Sequence, residues 1–262
     1  MTAGEQKLRE VMALRADGSM EGRWFLNGQS SVGGRIHAVR SDGAAQILSV
    51  APDHVKAGET VEMRIAGVGL AGDPVLPAGL TAEVVSSDPG TVVLKVTAAA
   101  DAAAGRGEIG VGEAKLADAA AVYTALDRVS VEPPVTYSRT GGADGPIPKQ
   151  PATFDAIGWL NGADGKPETE DDIRVGALTA EWKVEDFDKI AADMKDAQFA
   201  GEIDASGVFH PADAGPNPER VMGTNNTGNL AVIATVKDGE TTLEGRGHLY
   251  ATVQRFVDTP IR

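Results

Sequence analysis

Apolar and polar side chains alternate with a period of two along most of this chain, and Asp-Gly or Asn-Gly pairs repeatedly interrupt the alternation. No other feature constrains the fold as much. Val61, Met63 and Ile65 alternate with Thr60, Glu62 and Arg64. The same period runs through Met20, Gly22, Trp24 and Leu26, and through Val92, Leu94 and Val96. It returns in Leu178, Ala180, Trp182 and Val184, over residues 230–236, and in Leu249, Ala251 and Val253. A strand points successive side chains to opposite faces, so this period predicts strands with one face buried.

The interruptions carry turn chemistry. Asp17-Gly18, Asn27-Gly28, Asp42-Gly43, Asn161-Gly162, Asp164-Gly165 and Asp238-Gly239 each place a glycine where positive φ costs nothing. Asp17-Gly18 and Asp238-Gly239 sit between strands and predict tight hairpins. One helical pattern competes: Phe187, Ile190, Ala191 and Met194 fall at i, i+3, i+4 and i+7, with Asp186 as the expected N-cap. The alanine-rich residues 98–104 run into Gly105 and predict a loop with at most a helical turn.

The expected architecture is all-β: tandem Ig-like antiparallel β-sandwich domains preceded by part of an antiparallel β-barrel. One boundary is expected near Ser41-Asp42-Gly43 and another near Glu132-Pro133-Pro134, because proline cannot continue a central strand. This gives a partial domain over residues 1–43, an Ig-like domain over 44–130 and a second one, with a short helix, over 131–262. Residues 140–151, rich in glycine and proline, predict an exposed loop.

Charge and composition then exclude whole function classes. A net charge of −14 argues against nucleic acid and anionic membranes, since both are bound by displacing counterions with Lys and Arg. No apolar run has the length that spans a bilayer. Residues 1–14 lack an apolar stretch of the signal-peptide kind, so export would need a leader not seen here. The chain has no cysteine, which excludes disulfides, thiolate metal sites, cysteine nucleophiles and the C-x-x-C-H attachment of a c-type haem.

Motifs that resemble catalytic or cofactor signatures fail on their context. Gly67-Val68-Gly69-Leu70-Ala71-Gly72 matches G-x-G-x-x-G, but Asp73-Pro74 and Pro77 prevent the helix a dinucleotide site requires. In the acidic residues 161–172, Leu160 and Gly162 stand where an EF-type loop needs oxygen ligands. A looser calcium site from Asp164, Glu168, Glu170, Asp171 and Asp172 stays open beside a solvated acidic loop. His37, His54, His210 and His248 form no zinc spacing and read as surface residues. Gly28-Gln29-Ser30-Ser31 falls short of a nucleophile elbow. Trp24 and Trp182 share the apolar parity of their strands, which points to core packing rather than a sugar platform. No catalytic or metal-binding residue is therefore assigned.

One segment stands apart. Gly215-Pro216-Asn217-Pro218-Glu219-Arg220 is followed by Thr224-Asn225-Asn226-Thr227-Gly228-Asn229. Asn and Pro at this density build a rigid turn whose amides satisfy loop backbone groups. Asn217, Glu219, Arg220, Asn225 and Asn226 are the candidate partner-docking residues, because interaction sites concentrate on loops held by a rigid sheet.

Two resemblances add to this reading. Residues 47–111 resemble an Ig-like domain of the kind found in transcription-factor and receptor modules. The residues that carry it are Ile47-Leu48-Ser49-Val50-Ala51-Pro52, the turn at Ala57-Gly58-Glu59-Thr60, Ile65 to Leu70, and Gly105 ahead of Ile109 and Val111. More narrowly, Asp213 to Arg220, Thr224-Asn225-Asn226 and residues 228–235 resemble the last domain of the α subunit of quinohemoprotein amine dehydrogenase. Val55-Lys56-Ala57-Gly58 and Gly69-Leu70-Ala71-Gly72 resemble its preceding domain, and residues 245–247 and 251–255 its closing strand.

That resemblance implies β domains following a di-haem domain, with residues 4–40 as the final strands of the first of them. Met1 then falls within a domain, whose strands would be completed by a preceding segment or by another polypeptide. It also implies a periplasmic location and two partners, a β-propeller subunit and a small quinone-bearing subunit. Haem c and cysteine tryptophylquinone would be held elsewhere in the complex, with no cofactor in this chain. The expected role is a non-catalytic scaffold for amine oxidation by other subunits. The alternative is a carbohydrate or surface-ligand binding module of an exported protein.

Overall fold

The computed structural model describes residues 8–26, 29–40, 42–142 and 149–253. The Asn27-Gly28 turn, Ser41, the middle of the 140–151 loop and the end of the closing segment lie outside the described residues. Among the described residues β-strands dominate, as the alternation predicts.

The first unit is a three-stranded antiparallel sheet of β1 (Leu8–Leu14), β2 (Met20–Leu26) and β3 (Gln29–Ala38), in that order. The β1–β2 hairpin turns over Asp17, whose carboxylate accepts from the backbone N–H and hydroxyl of Ser19. In this sheet Leu14 is 74% and Met20 39% exposed.

The second unit is a sandwich of two four-stranded sheets. One has the order β4 (Gln46–Ala51), β6 (Thr60–Val68), β9 (Thr91–Ala98), β8 (Leu80–Asp88). The other has the order β5 (His54–Lys56), β11 (Ala114–Tyr123), β10 (Gly105–Val111), β7 (Pro74–Val75). The inward parity fills the core: Met63, Ile65, Leu94, Val96 and Ile109 are wholly buried. Gly67 and Val68 close β6, and Gly69 to Gly72 form the loop after it with no helix behind it, so the motif lacks the helix N-terminus a pyrophosphate would need.

The third unit begins with β12 (Arg128–Glu132), β13 (Val135–Arg139), β14 (Ala152–Thr153), β15 (Asp155–Leu160), β16 (Ile173–Leu178) and β17 (Glu181–Asp186). Helices α1 (Lys189–Met194) and α2 (Asp196–Phe199) follow, then β18 (Gly201–Ile203), β19 (Val208–Pro211), a 3-10 turn at Val221–Gly223, β20 (Gly228–Asp238) and β21 (Thr241–Thr252). The sheets are β12-β15-β16, β13-β21-β20-β17 and β14-β19-β18. Because β12 pairs with β15, Pro133-Pro134 lies inside this unit, between β12 and β13.

Two pairings are parallel: β5 with β11, and β13 with β21. In each unit the first strand stops at proline and its continuation joins the opposite sheet beside the last strand. Proline has no N–H for the ladder, so the chain leaves one sheet there and enters the other.

Several expectations change. The run 178–184 is not one strand: β16 ends at Leu178 and β17 starts at Glu181. Asp186 is not the helix N-cap. Asp188 has the extended cap backbone and accepts from Ala191 N, while Asp186 accepts from Ala197 N at the start of α2. Ile190 is 75% exposed and only Ala191 of α1 is buried, so this short helix packs by one small residue. His54 and His248 are half-buried rather than surface residues. Residues 230–234 are buried on both faces of β20. The outer-face residues Ala231 and Ile233 lie between His248 and Arg246 of β21 and Glu185 and Lys183 of β17, whose long side chains cover them.

Candidate functional site

The loop over residues 213–229 is built around one interior cation. Arg220 is buried and its guanidinium pairs with Asp196, donates to the carbonyls of Thr227 and Met194, and lies over the Phe199 ring. The second Asp196 oxygen accepts from the backbone N–H of Asn229. An ion pair removed from water persists only when its remaining hydrogen-bonding capacity is met, and here the carbonyls of Thr227 in the loop and Met194 at the end of α1 meet most of it. The asparagines complete the fold of the loop. Asn217 Nδ2 donates to Asn226 Oδ1 at 2.8 Å, and Asn217 Oδ1 accepts from Glu219 N at 2.9 Å. Asn225 Oδ1 accepts from Gly215 N, and Asn226 Nδ2 donates to the Asp213 carbonyl.

Of the five candidate docking residues, Arg220 therefore faces the interior and the three asparagines are half-buried, while Glu219 is exposed. The surface of the loop is instead its tip, where Met222 is 90% and Val221 51% exposed. Met222 has φ +54°, a left-handed conformation unusual for a side chain of its size.

Beside this loop, the outer face of sheet β13-β21-β20-β17 carries a ladder of rings. Arg246 lies over Phe187, 5.3 Å from its centroid, and Phe187 stacks on His248 at 3.7 Å and 6°. His248 leans on Tyr250 at 4.2 Å, and Tyr250 stacks on Tyr137 at 5.3 Å and 19°. The registers Val135↔His248 and Tyr137↔Tyr250 set the rings side by side across strands. His248 Nε2 donates to Asn229 Oδ1, and Asn229 Nδ2 to Asp188. Desolvation, with Arg246 adding repulsion against some relief from Asp188, holds the imidazole below its ordinary pKa. A groove of about 440 Å³ opens at the Tyr137–Tyr250 end, floored by Thr227, Gly228, Asn229 and Thr252, with Asp196 at its back.

The sequence signal for the ladder was the alternation Arg246-x-His248-x-Tyr250 on the polar parity of β21. Its partners Tyr137 and Phe187 come from distant segments that only the fold brings together.

The junction between the second and third units combines ion pairs, side chain–carbonyl hydrogen bonds and apolar contact. Arg106 donates to the carbonyls of Asp118, Arg174 and Val175 and pairs with Asp53 at 3.2 Å. Lys56 pairs with Asp238, whose other oxygen accepts from Leu126 N. Gly176, at φ +147°, lies where a Cβ would collide with Asp53 and His54. Ala121 and Tyr123 of β11 join the core of the third unit.

The other candidates of the sequence take structural positions. Asp171 accepts from Ala163 N, Asp164 N and the Thr169 hydroxyl, and Asp172 pairs with Arg128. Among the described residues, no three acidic or histidine side chains gather in a metal-binding arrangement. Trp182 packs on the core, Trp159 donates to Ser130 Oγ beneath the Arg128 guanidinium, and Trp24 lies against Gly34. Covalent haem attachment and a cysteine-derived quinone both need thiols, so the residues of this chain fit neither group.

Comparison with known proteins gives one consistent answer. Residues 1–41, 44–124 and 129–261 match domains II, III and IV of the quinohemoprotein amine dehydrogenase α subunit. No curated protein matches the chain. Among solved structures, mouse clustered PcdhgC3 EC1-3 is similar at 10% identity and TM-score 0.31, over 95% of this chain and 78% of that one. Domains 5-6 of the S-layer protein SbsC are similar at 12% identity and TM-score 0.27, over 79% of this chain and 98% of that one. Scores of this size carry no argument about fold or function. The three family matches run in order along nearly the whole sequence, and the chain belongs to the quinohemoprotein amine dehydrogenase α-subunit family.

Proposed function

We infer that this chain is a non-catalytic structural part of a periplasmic amine dehydrogenase complex. It holds other subunits in place while they oxidise the amine. The carrying observation is the junction between the second and third units, where Arg106, Lys56 and Gly176 fix one unit on the other. A string of domains positions partners only if its own joints are stiff, and inter-domain contacts are otherwise weak enough to permit movement. The partners in this reading are a β-propeller subunit and a small quinone-bearing subunit. Haem c and cysteine tryptophylquinone belong outside these residues. Docking uses the 213–229 loop, with Arg220 and Asn217, Asn225 and Asn226 holding its shape and Glu219 and Met222 presented outward.

The test is reconstitution with the purified propeller and quinone-bearing subunits, followed by size exclusion and an amine-oxidation assay. The expected result is a stable co-eluting complex, with no amine turnover by the chain alone. Turnover by the isolated chain, or elution of all three proteins apart, would overturn the reading.

A further inference from the structure

We propose that the Tyr137–Tyr250 end of the aromatic ladder, with its groove, is an anchor site for a basic segment of a partner protein subunit. This rests on the scaffold reading and names the surface and the chemistry of the contact.

Three observations on the molecule select that occupant. The first concerns the rings. Phe187, His248, Tyr250 and Tyr137 cover one another's faces in sequence, and Arg246 lies over Phe187 at the far end. A sugar platform needs open ring faces. In this ladder Phe187, His248 and Tyr250 each lie between two neighbours and Tyr137, at the end, keeps one outer face, so edges and hydroxyls make up most of what is presented, with Tyr137 49% and Tyr250 37% exposed. Tyrosines already locked in one conformation lose little entropy on contact, which makes them effective anchors in protein interfaces.

The second observation is charge. Among the described residues no Lys, Arg or His lines the groove; Asp196 at its back is already paired with Arg220, and the acidic group beside the groove is Asp188, bonded to the lining residue Asn229. With a chain net charge of −14, a second copy of the same surface is repelled and a cationic partner is attracted. The third is continuity. Thr227 and Asn229 on the groove floor are the exit of the 213–229 loop, so loop and groove form a single surface. The partner segment would seat an apolar side chain against the tyrosine edges, flanked by Lys or Arg near Asp188.

The experiment measures binding of the purified β-propeller subunit, alone and with the small quinone-bearing subunit, to the full chain by sedimentation velocity at two salt concentrations. The double variant Tyr137→Ser/Tyr250→Ser is compared with Val85→Ser, which removes an exposed valine of β8. Tyrosine iodination of the unmodified chain, free and in complex, reads the same surface without any variant. The expected result is binding that weakens with salt and by roughly tenfold or more in the double variant. The Val85→Ser affinity should be unchanged, and Tyr137 and Tyr250 should be protected from iodination in the complex. Full-strength binding by the double variant, with both tyrosines still iodinated, overturns this inference and leaves the scaffold reading standing. No binding by the unmodified chain removes both. Tyrosine-dependent self-association, or tyrosine-dependent binding of maltohexaose, would assign the groove to a second copy or to a sugar and overturn the proposal.

Discussion

The second and third units share a frame and differ in what is built on it. In both, the first strand breaks at proline and its continuation runs parallel to the last strand. In the second unit the remaining connections are short and one edge strand, β8, is exposed from its second residue onward. In the third, the chain leaves β17, folds α1, α2, β18, β19 and the 213–229 loop, and returns as β20. The added segment carries the buried Arg220–Asp196 pair and borders the aromatic face. A sandwich of this kind therefore carries its own stability in the alternating core and can hold its specialised surface in one long insertion between two strands.

That contrast can be broken first at Arg220. Replacing it with alanine leaves Asp196 buried without its cation and should cost about 3–5 kcal/mol in denaturant unfolding. A loss below about 1 kcal/mol would mean that the loop is held by its asparagines alone. Next comes the junction. Arg106→Ala removes hydrogen bonds to three carbonyls and a carboxylate, with an expected loss of about 2–3 kcal/mol. Calorimetry should then resolve separate transitions for the two units, whereas one undivided transition would show that the apolar contact at Ala121 suffices.

A smaller effect is expected from His248. Its folded pKa lies below the ordinary 6.5, so the unfolded chain takes up the proton first as pH falls. The stability it contributes is complete above about pH 6.5 and declines below it. His248→Phe should flatten that part of the stability curve, and an unchanged curve would rule His248 out as its source. Smallest of all, Glu219→Ala should lie within about 0.5 kcal/mol of the unmodified chain, because its side chain is exposed at the loop surface.

Strands with one covered face were legible in the sequence. Met63, Ile65, Leu94 and Val96 stand inside where their parity puts them. Legibility failed where a second face was also covered. Residues 230–234 are buried on both faces of β20: Leu230, Val232 and Ala234 in the core, Ala231 and Ile233 between their neighbours on β17 and β21. The helix cap moved by two residues because Asp186 and Asp188 are equally good caps in isolation, and α2 claims the first. Arg220 looked like a surface residue of a polar loop, since nothing in its own segment announces Asp196 on α2. The ladder was half-written in β21 and needed the parallel register with β13 to add Tyr137.

That parallel register has a mechanical side. In the second and third units the strand near the entrance, β5 or β13, is bonded along its length to the strand at the exit, β11 or β21. Tension along the chain pulls the two members of such a pair in opposite directions along their own axes. Their hydrogen bonds are then loaded together in shear, not opened one after another from an end. In both units a pulling load that passes the proline ending the first strand is thus met by a row of hydrogen bonds in shear.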